Sequence, residues 1–371
     1  MKLIIECRSL LKTPTGIGLF TKDLINALSQ TSPDWDIYLL TPTNFHLSIE
    51  INKSSNIHII NSPISWWRFA PRIIWYLLKV PILTRKIKPD FFLSPMSYFP
   101  FGLPRSVKTV NVIHDVVNIE FKETMTIANR IYNQLLFNKS VNNSNYIWCN
   151  SNYTKERISH YFPTRKCKNI FVGLSIDTAF QKIEIPTDRK LLVYKNFEIV
   201  DPFILFVGSL EPRKNLEFLL KLTPILYKKH KIKTIIIGAK GWKNSSIYKI
   251  ISDPSYPKEA THFGGYVTDF ELVDLYNLAS CYVSTSLNEG FGMPQLEALF
   301  CGCPVVTANN SGMTEVVSGR GTLVDGWDEE EWIKQIVETV RKGRNMETNF
   351  DLTEYDWVNI TNRFRQYLNL K

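Results

Sequence analysis

Short apolar runs alternate along the chain with longer segments in which apolar residues recur every three or four positions. Such runs are typical of strands buried on both faces of a sheet, and the longer segments are typical of amphipathic helices. In the first half, the predicted strands are 2–7, 37–40, 58–60, 91–93, 109–113, 146–149 and 170–172. The predicted helices there are 20–29, 127–139 and 153–161.

The alternation restarts at residue 203. The predicted strands are 203–207, 233–237, 281–285, 304–308 and 321–324. The predicted helices are 216–228, 268–280, a segment from 294, 329–340 and a tail from 356 to 370, while 309–314 is predicted as a loop. Strands alternating with helices predict parallel sheets covered on both faces. We therefore expect an α/β fold of two Rossmann-like, doubly wound domains that face each other across a cleft, residues 1–174 and 203–355. The irregular, polar segment 175–202 is predicted to link them.

The segment 286–306 combines a glycine-containing loop with the start of a helix. Gly290 and Gly292 allow a sharp turn and close approach to a ligand, and Pro294 suits the first helical position. Free N–H groups at that helix start make a site for phosphate. Glu289 in the loop and Glu297 one turn inside the helix are too far apart for a close pair, but they suit two ends of one extended ligand. Taken singly, each residue also has a structural explanation, in turn formation or in the helix dipole.

Arg213 and Lys214 stand just before the predicted helix 216–228. The helix dipole disfavours cations at that end. Their position is understandable if they bind an anionic ligand such as a diphosphate, and the alternative is two solvated side chains.

Candidate residues also follow two strands of the first half. Gly16 and Gly18 lie after the first strand, where backbone N–H groups can cradle phosphate. Thr21 occupies the place of the third glycine, so the dinucleotide fingerprint is absent. His114 ends the strand 109–113 on the side where parallel sheets bind ligands, and a purely structural histidine is the alternative.

Composition and charge limit the class of protein. A length of 371 residues favours two domains, and 44% hydrophobic with 21% charged residues is ordinary for a globular protein. Residues 1–174 hold 21 of the 44 Lys and Arg residues but 10 of the 35 Asp and Glu residues. This basic half suggests an anionic partner surface, or simply solubility.

No apolar run reaches the roughly 18 residues of a membrane span, and the start lacks the features of a signal peptide. The six cysteines form no Cys-x-x-Cys pair, so we expect reduced, mostly buried thiols in a cytoplasmic protein.

The stretch 62–89 contains six Lys and Arg residues and no acidic residue. Together with its tryptophans and aliphatic residues, this predicts that 66–88 forms a basic amphipathic surface for an anionic membrane. A core-packing helix with a solvated basic face is the alternative, and Pro71 and Pro81 are predicted to break any single helix. Asp34-Trp35-Asp36 matches a metal–nucleotide motif, but it adjoins Pro33 in a turn context, so no metal site is predicted.

The pattern Glu-Gly-Phe-Gly-x-Pro-x-x-Glu after a strand resembles the donor-site signature of the retaining glycosyltransferases of family 4, which have the two-Rossmann-domain GT-B fold. The resemblance is dense from Val207 to about Val324, through VGSLEPRKNLEFLL and HFGGYVTDFELVDLYNLASCYVSTSLNEGFGMPQLEALFCGCPVVTANNSGMTEV. In the first half it is carried by TPTGIG, VIHD and SNYTKERI. The chain is especially similar to bacterial enzymes that build lipopolysaccharide O-antigen and other surface glycans, including mannosyltransferases.

The resemblance implies a role for each matching residue. Arg213 and Lys214 would hold the donor diphosphate, Glu289 would contact the transferred sugar, and His114 would lie near that sugar. Glu297 would bind the ribose hydroxyls. The other residues implied to approach the donor are Gly16, Gly18, Gly290, Phe291, Gly292 and Met293. The helix in 356–371 would cross back to pack on the first domain.

The implied activity is transfer of a hexose, with GDP-mannose favoured as donor, to a lipid-linked oligosaccharide of a surface glycan such as O-antigen. The anomeric configuration would be retained. We expect no cofactor, no metal requirement and no nucleic-acid partner, and a cytoplasmic location, peripheral at the inner face of the membrane. The alternatives are a nucleotide-sugar epimerase, a nucleotide-sugar-binding subunit without catalysis, and a dinucleotide oxidoreductase, against which Thr21 weighs. The nucleotide, the sugar, the acceptor and the oligomeric state stay open.

Overall fold

A computed structural model of the chain describes residues 1–11, 16–44, 50–52, 54–62, 72–120, 127–199, 202–239, 241, 245–344 and 352–369. The chain divides into two compact units. The first unit is Met1–Ser175 together with Leu352–Lys371, and the second is Ile176–Asp351.

The first unit is built on seven strands. They are β1 Lys2–Glu6, β2 Asp36–Thr41, β3 Ile57–Asn61, β4 Phe91–Ser94, β5 Lys108–Ile113, β6 Tyr146–Cys149 and β7 Ile170–Val172. All pair in parallel, in the order β3-β2-β1-β4-β5-β6-β7. The helices between them are Gly16–Thr31, Arg72–Ile74, Trp75–Lys79 (π-helical), Val80–Ile87, Val117–Glu120, Ile127–Asn143 and Asn152–Tyr161. The strands are mainly apolar because a parallel sheet is covered on both faces.

The second unit repeats this plan with six strands. They are β8 Phe203–Val207, β9 Lys233–Ile237, β10 Thr261–Gly265, β11 Cys281–Ser284, β12 Val305–Ala308 and β13 Thr322–Val324. All pair in parallel, in the order β10-β9-β8-β11-β12-β13. Its helices are Thr187–Asn196, Leu216–His230, Ser245–Ile251, Asp269–Leu278, Met293–Phe300, Ser311–Val317 and Glu329–Lys342. The predicted pair of doubly wound α/β units is therefore confirmed.

The last helix, Trp357–Asn369, packs within the first unit against the helix Gly16–Thr31. Its buried residue Phe364 lies 4.5 Å, between ring centroids, from Trp148 of β6. The hydroxyls of Thr361 and Thr31 also form a hydrogen bond, at 3.0 Å. The tail thus completes the core of the N-terminal unit, although the chain reaches it only after the whole second unit.

Several local predictions were wrong. The segment 175–202 is not irregular throughout, because it contains the helix Thr187–Asn196, which carries an ion pair from Arg189 to Asp274. Pro81 does not end the helical stretch, since the chain passes directly from the π-helical turn Trp75–Lys79 into Val80–Ile87, with this proline at the junction. Pro71 and residues 66–71 of the basic stretch lie outside the described residues.

Other elements of the second unit were missed, among them the helix Ser245–Ile251. The edge strand β10 has the polar, glycine-containing sequence THFGG and is only half-buried, so it lacks the apolar run of a central strand. The predicted loop 309–314 contains the start of the helix Ser311–Val317. All six cysteines are buried, as predicted, and each is a free thiol.

Candidate active site

Two loops of the second unit meet where β8 and β11 lie side by side. The strand order changes direction at this point, and doubly wound sheets bind ligands there, beyond the carboxyl ends of the strands. The loop after β8 contains the 3-10 turn Pro212–Lys214. The loop after β11 is tied to it, because Leu287 donates its N–H to the Arg213 carbonyl at 2.8 Å and the Thr285 hydroxyl donates to the Asn215 carbonyl at 3.0 Å. The predicted phosphate-binding cations and the predicted glutamate loop are thus neighbours.

Glu289 is the centre of a buried charge cluster. Its Oε1 accepts a hydrogen bond from Lys214 Nζ at 2.5 Å, and its Oε2 accepts one from Arg213 Nη1 at 2.7 Å. The Ser286 hydroxyl donates to Oε1 at 2.8 Å. Arg213 Nη2 also donates to Glu211 at 2.7 Å. Glu211, Lys214 and Glu289 are each at most 9% exposed, so these charges interact largely away from water.

The electrostatics of Glu289 follow from this packing. Burial alone would raise the pKa of its carboxyl, but the charges of Lys214 and Arg213 and their hydrogen bonds lower that pKa to about 2. Glu289 is therefore ionised at neutral pH and neutralises one of the two cations. A buried pair of cations is stable only with such a counter-charge. An anionic ligand with two acceptor groups, such as a diphosphate, has the charge and the geometry to take its place.

The segment Gly290–Met293 forms the turn that leads into the helix Met293–Phe300. Gly292 is the N-cap residue and has a φ of +114°, a conformation that side chains disfavour. Pro294 lies in the first helical turn, as predicted from the missing N–H of proline. Phe291 is buried, whereas Met293 is half-buried.

A second loop fixes the backbone at Glu289. The Ser311 hydroxyl accepts the N–H of Glu289 at 2.9 Å, and the N–H of Gly312 donates to the Glu289 carbonyl at 3.0 Å. A Cβ at Gly312 would lie 2.6 Å from the Gly290 carbonyl oxygen, so only glycine allows this approach. Ser311 has a φ of +53°, an uncommon conformation for serine. The loop after β12 therefore positions the glutamate, a role that the sequence pattern did not reveal.

Glu297 has a different environment from Glu289. It is buried, and its Oε2 accepts a hydrogen bond from the Tyr276 hydroxyl at 3.0 Å. Burial raises the pKa of Glu297 to about 7, Asp269 also acts to raise it, and the Tyr276 hydrogen bond and the charge of Lys214 oppose that rise. The surroundings of Glu297 thus raise its pKa, whereas those of Glu289 lower its pKa.

The remaining predicted residues belong to the first unit. His114 follows β5, and its Nε2 lies 2.8 Å from the Pro95 carbonyl oxygen, which can only accept, so Nε2 carries the hydrogen. Its Nδ1 then accepts from the Asn150 amide at 2.9 Å. Burial lowers the pKa of His114, so the ring is neutral. Gly16 and Gly18 lie in the first turn of Gly16–Thr31, whose Phe20 packs edge-on against His114 with ring centroids 5.0 Å apart.

The described residues contain no group of three or more His, Cys, Asp or Glu side chains arranged to hold a metal ion. The two carboxylates of the Asp-x-Asp pattern have structural partners. Asp34 accepts a hydrogen bond from Arg365 at 2.8 Å, and Asp36 lies 3.2 Å from His58. None of the helices in the described part of the chain has the length and apolar character that a membrane span requires.

Comparison with known proteins agrees with the fold and with these motifs. Residues 180–355 match the family of glycosyl transferases group 1. The O-antigen chain mannosyltransferase B of Escherichia coli is 24% identical over 385 residues, and the match covers 97% of each chain. Among solved structures, the sucrose-phosphate synthase of Thermosynechococcus elongatus has a TM-score of 0.71 at 15% identity, over 100% of this chain and 98% of that one. Anabaena HepE in complex with UDP-glucose has a TM-score of 0.68 at 16% identity, over 100% of each chain.

The two parallel sheets and their connections define the GT-B fold, and the chain is a glycosyltransferase. Its second unit carries the domain of the glycosyl transferases group 1, and the resemblance noted in the sequence is thereby confirmed. These matches favour a transferase over the epimerase and the oxidoreductase.

Proposed function

We propose that this glycosyltransferase transfers a mannosyl residue from GDP-mannose to a growing, lipid-linked surface glycan such as O-antigen, with retention of anomeric configuration. The name of the E. coli relative, an O-antigen chain mannosyltransferase matched along 97% of its length, supports this choice of sugar and glycan. The observation that carries the transfer itself is the pair of a half-buried Arg213 and a buried Lys214, both ion-paired with Glu289, at the carboxyl ends of β8 and β11.

The proposed chemistry depends on departure of the nucleotide diphosphate. As the bond from the anomeric carbon to the diphosphate oxygen breaks, negative charge grows on that oxygen. Arg213, Lys214 and the N–H groups at the start of Met293–Phe300 would stabilise this charge. Glu289, when its cations bind the diphosphate, becomes available to the hydroxyls of the sugar.

Retention requires that the acceptor attacks on the face from which the diphosphate leaves. A donor phosphate oxygen then takes the acceptor's proton, and the new glycosidic bond forms without a covalent intermediate on the protein. Because two side-chain cations already balance the charge of the leaving group, we propose that transfer needs no metal ion. Full activity in EDTA is expected, and a rate that depends on added Mg²⁺ would contradict this part of the proposal.

Nucleotide choice is tested by thermal unfolding of the wild-type protein with GDP, UDP, dTDP and CDP. A ligand at 100 times its Kd stabilises a protein by about 2.7 kcal/mol, so one preferred nucleotide is readily detected. We expect GDP to give the largest shift. A larger increase in unfolding temperature with another nucleotide would indicate a donor that carries that nucleotide and not GDP. No increase with any of the four would contradict the proposed site.

The cation pair is tested by transfer assays on Arg213→Ala and Lys214→Ala. Removal of a group that stabilises developing negative charge lowers kcat about 100- to 1,000-fold, so we expect losses of this size. Lys334→Ala is the control, because Lys334 is exposed and pairs with Glu331 on the same helix face. Rates near that of the wild type in both cation variants would refute the diphosphate assignment.

We also propose that the first unit touches an anionic membrane through the helix that ends at Ile87. Leu78 and Ile82 are 63% and 56% exposed, and Lys86, four positions further, is exposed as well. Ile82 and Lys86 are four residues apart on the α-helix Val80–Ile87, so they share one face, and Leu78 lies in the π-helical turn just before it. Exposed apolar side chains therefore adjoin positive charge here. The excess of Lys and Arg in residues 1–174 has the sign that anionic lipid attracts.

Sedimentation with vesicles tests this contact. Wild-type protein is expected to bind vesicles that contain phosphatidylglycerol and not vesicles of phosphatidylcholine alone. The double variant Leu78→Asp, Ile82→Asp should lose this binding. Leu191→Asp, Leu192→Asp is the matched control, because these leucines of the second unit are 63% and 57% exposed. Equal binding by both double variants would exclude this helix face as the contact.

A further inference from the structure

Tyr276 and Glu297 form a buried contact between two helices of the second unit. Tyr276 lies on Asp269–Leu278 and Glu297 on Met293–Phe300. The tyrosine is fully buried, and its hydroxyl donates to Glu297 Oε2 at 3.0 Å. The ring is also fixed by edge-on contacts with Phe180 and Tyr282, whose centroids lie 6.1 and 5.8 Å away. A side chain held in this way presents its hydroxyl in one direction only.

The direction of the hydrogen bond is set by burial. Burial raises the pKa of Tyr276 well above that of a free tyrosine, and the charge of Glu297 raises it further. The hydroxyl therefore keeps its proton and always acts as the donor. The carboxylate accepts on Oε2, so its other oxygen, Oε1, is the one that remains for a ligand.

We infer that Tyr276 is a positioning residue, which holds the Glu297 carboxylate by one oxygen and turns the other toward a vicinal diol of the bound ligand, the ribose of the donor nucleotide. The inference rests on the proposed function, because it assumes that Glu297 binds the nucleotide. It adds a residue outside the glutamate motif, 21 positions earlier in the chain, that sets the rotamer and the charge of that glutamate.

The charge of Glu297 makes this role measurable. Diol binding favours the ionised carboxylate, and Glu297 has a pKa of about 7 in the free protein. The other groups that face Glu297 are Asp269 at the start of the tyrosine helix, Lys214 before the helix Leu216–His230, Tyr282 on β11 and Cys301 after its own helix. Tyr276 provides the hydrogen bond that stabilises the ionised form, so its removal should raise the pKa of Glu297.

The test measures GDP and UDP binding by calorimetry from pH 6 to 9 for wild-type protein and Tyr276→Phe, with transfer kinetics on the same samples. Protonation of the nucleotide affects both Kd values equally, so its effect is removed by taking the ratio of the two Kd values at each pH. A hydrogen bond to a charged group contributes a change of about ten- to a hundred-fold, so we expect Tyr276→Phe to bind at least about ten-fold more weakly at pH 7. The difference should shrink at pH 9, KM for the donor should rise, and kcat should change little.

Two controls separate positioning from a general effect on folding. Tyr256→Phe removes another buried hydroxyl, which bonds to Thr261 of the edge strand β10 at 2.6 Å, and it should leave Kd and its pH dependence unchanged. Glu297→Gln should abolish the pH-dependent part of binding, both alone and combined with Tyr276→Phe.

The outcomes for the inference and for the proposed function are distinct. A pH profile and KM for Tyr276→Phe that match those of the wild type would overturn the inference while leaving the proposed function intact. If wild-type protein itself binds neither nucleotide, the proposed function fails first, and the inference fails with it.

Discussion

Replacing Glu289 by glutamine tests whether the charge cluster is organised as the structure indicates. The substitution keeps the shape of the side chain but removes the negative charge that pairs with both Arg213 and Lys214. A fall in pKa from 4.5 to about 2 means that the folded protein stabilises the ionised form over the protonated form by about 3 kcal/mol. Loss of that charge leaves the two cations with the single carboxylate of Glu211, which pairs with Arg213, so we expect Glu289→Gln to lower the free energy of unfolding by a similar amount.

The assay is thermal unfolding at pH 7.5. In a unit the size of Ile176–Asp351, about 1 kcal/mol shifts Tm by roughly 2–4 °C, so the expected decrease is roughly 6–12 °C. Glu331→Gln is the matched control, because hydrogen bonds from Gln335 and Lys334 also lower the pKa of Glu331, but its carboxylate is exposed. We expect no measurable shift for that control.

The pH dependence has a definite sign. The folded-state pKa of Glu289 is depressed, so its stabilising contribution is present above pH 4.5 and is lost as the pH falls toward about 2. Wild-type protein should lose this contribution on acidification, and Glu289→Gln should not. The variant should also bind GDP at least as tightly as the wild type while transfer is strongly reduced, because the carboxylate no longer competes with phosphate for the two cations. A Tm close to that of the wild type, together with an unchanged acid profile, would refute the reasoning.

Three further predictions concern other parts of the molecule. Gly312→Ala should weaken donor binding and transfer, as measured by KM, because its Cβ would come within 2.6 Å of the Gly290 carbonyl oxygen and displace the loop that holds Glu289. Phe364→Ala should destabilise the first unit by roughly 3–5 kcal/mol in denaturant titration, since it empties a site packed against Trp148 and Phe171. The six thiols should not react with a thiol reagent until the protein unfolds, because all are buried.

The sequence was most informative about strands. The predicted bounds of the central strands 146–149, 203–207 and 233–237 are those of the structure, as are those of the edge strand 170–172. Central strands of a parallel sheet are buried on both faces, so each is an uninterrupted apolar run that contrasts with its surroundings. The edge strand β10 lacks this property and was missed. The helix Ser311–Val317 is hidden in the sequence because its first residue is a serine in a left-handed conformation, within a turn-like segment.

The candidate site was predictable in part. Spacing along the chain indicated that Arg213 and Lys214 follow one strand and that Glu289 follows another, and a doubly wound order brings those strand ends together. Spacing could not indicate which side chains bond to each other there. Glu211 and Ser286 join the cluster, and Tyr276 reaches Glu297, only through tertiary packing.

The ion pairs of Glu289 suggest how donor binding and sugar contact are connected. Two buried cations need a counter-charge whenever the donor is absent, and the carboxylate supplies it. On the proposed function, the donor diphosphate takes over this task, and the carboxylate is then released to accept hydrogen bonds from the sugar. Glu211 keeps its own bond to Arg213, so the guanidinium stays in position during the exchange. A free sugar brings no such charge, so it leaves Glu289 paired with its cations. The same residues would thus distinguish a nucleotide-linked sugar from a free one through electrostatics alone.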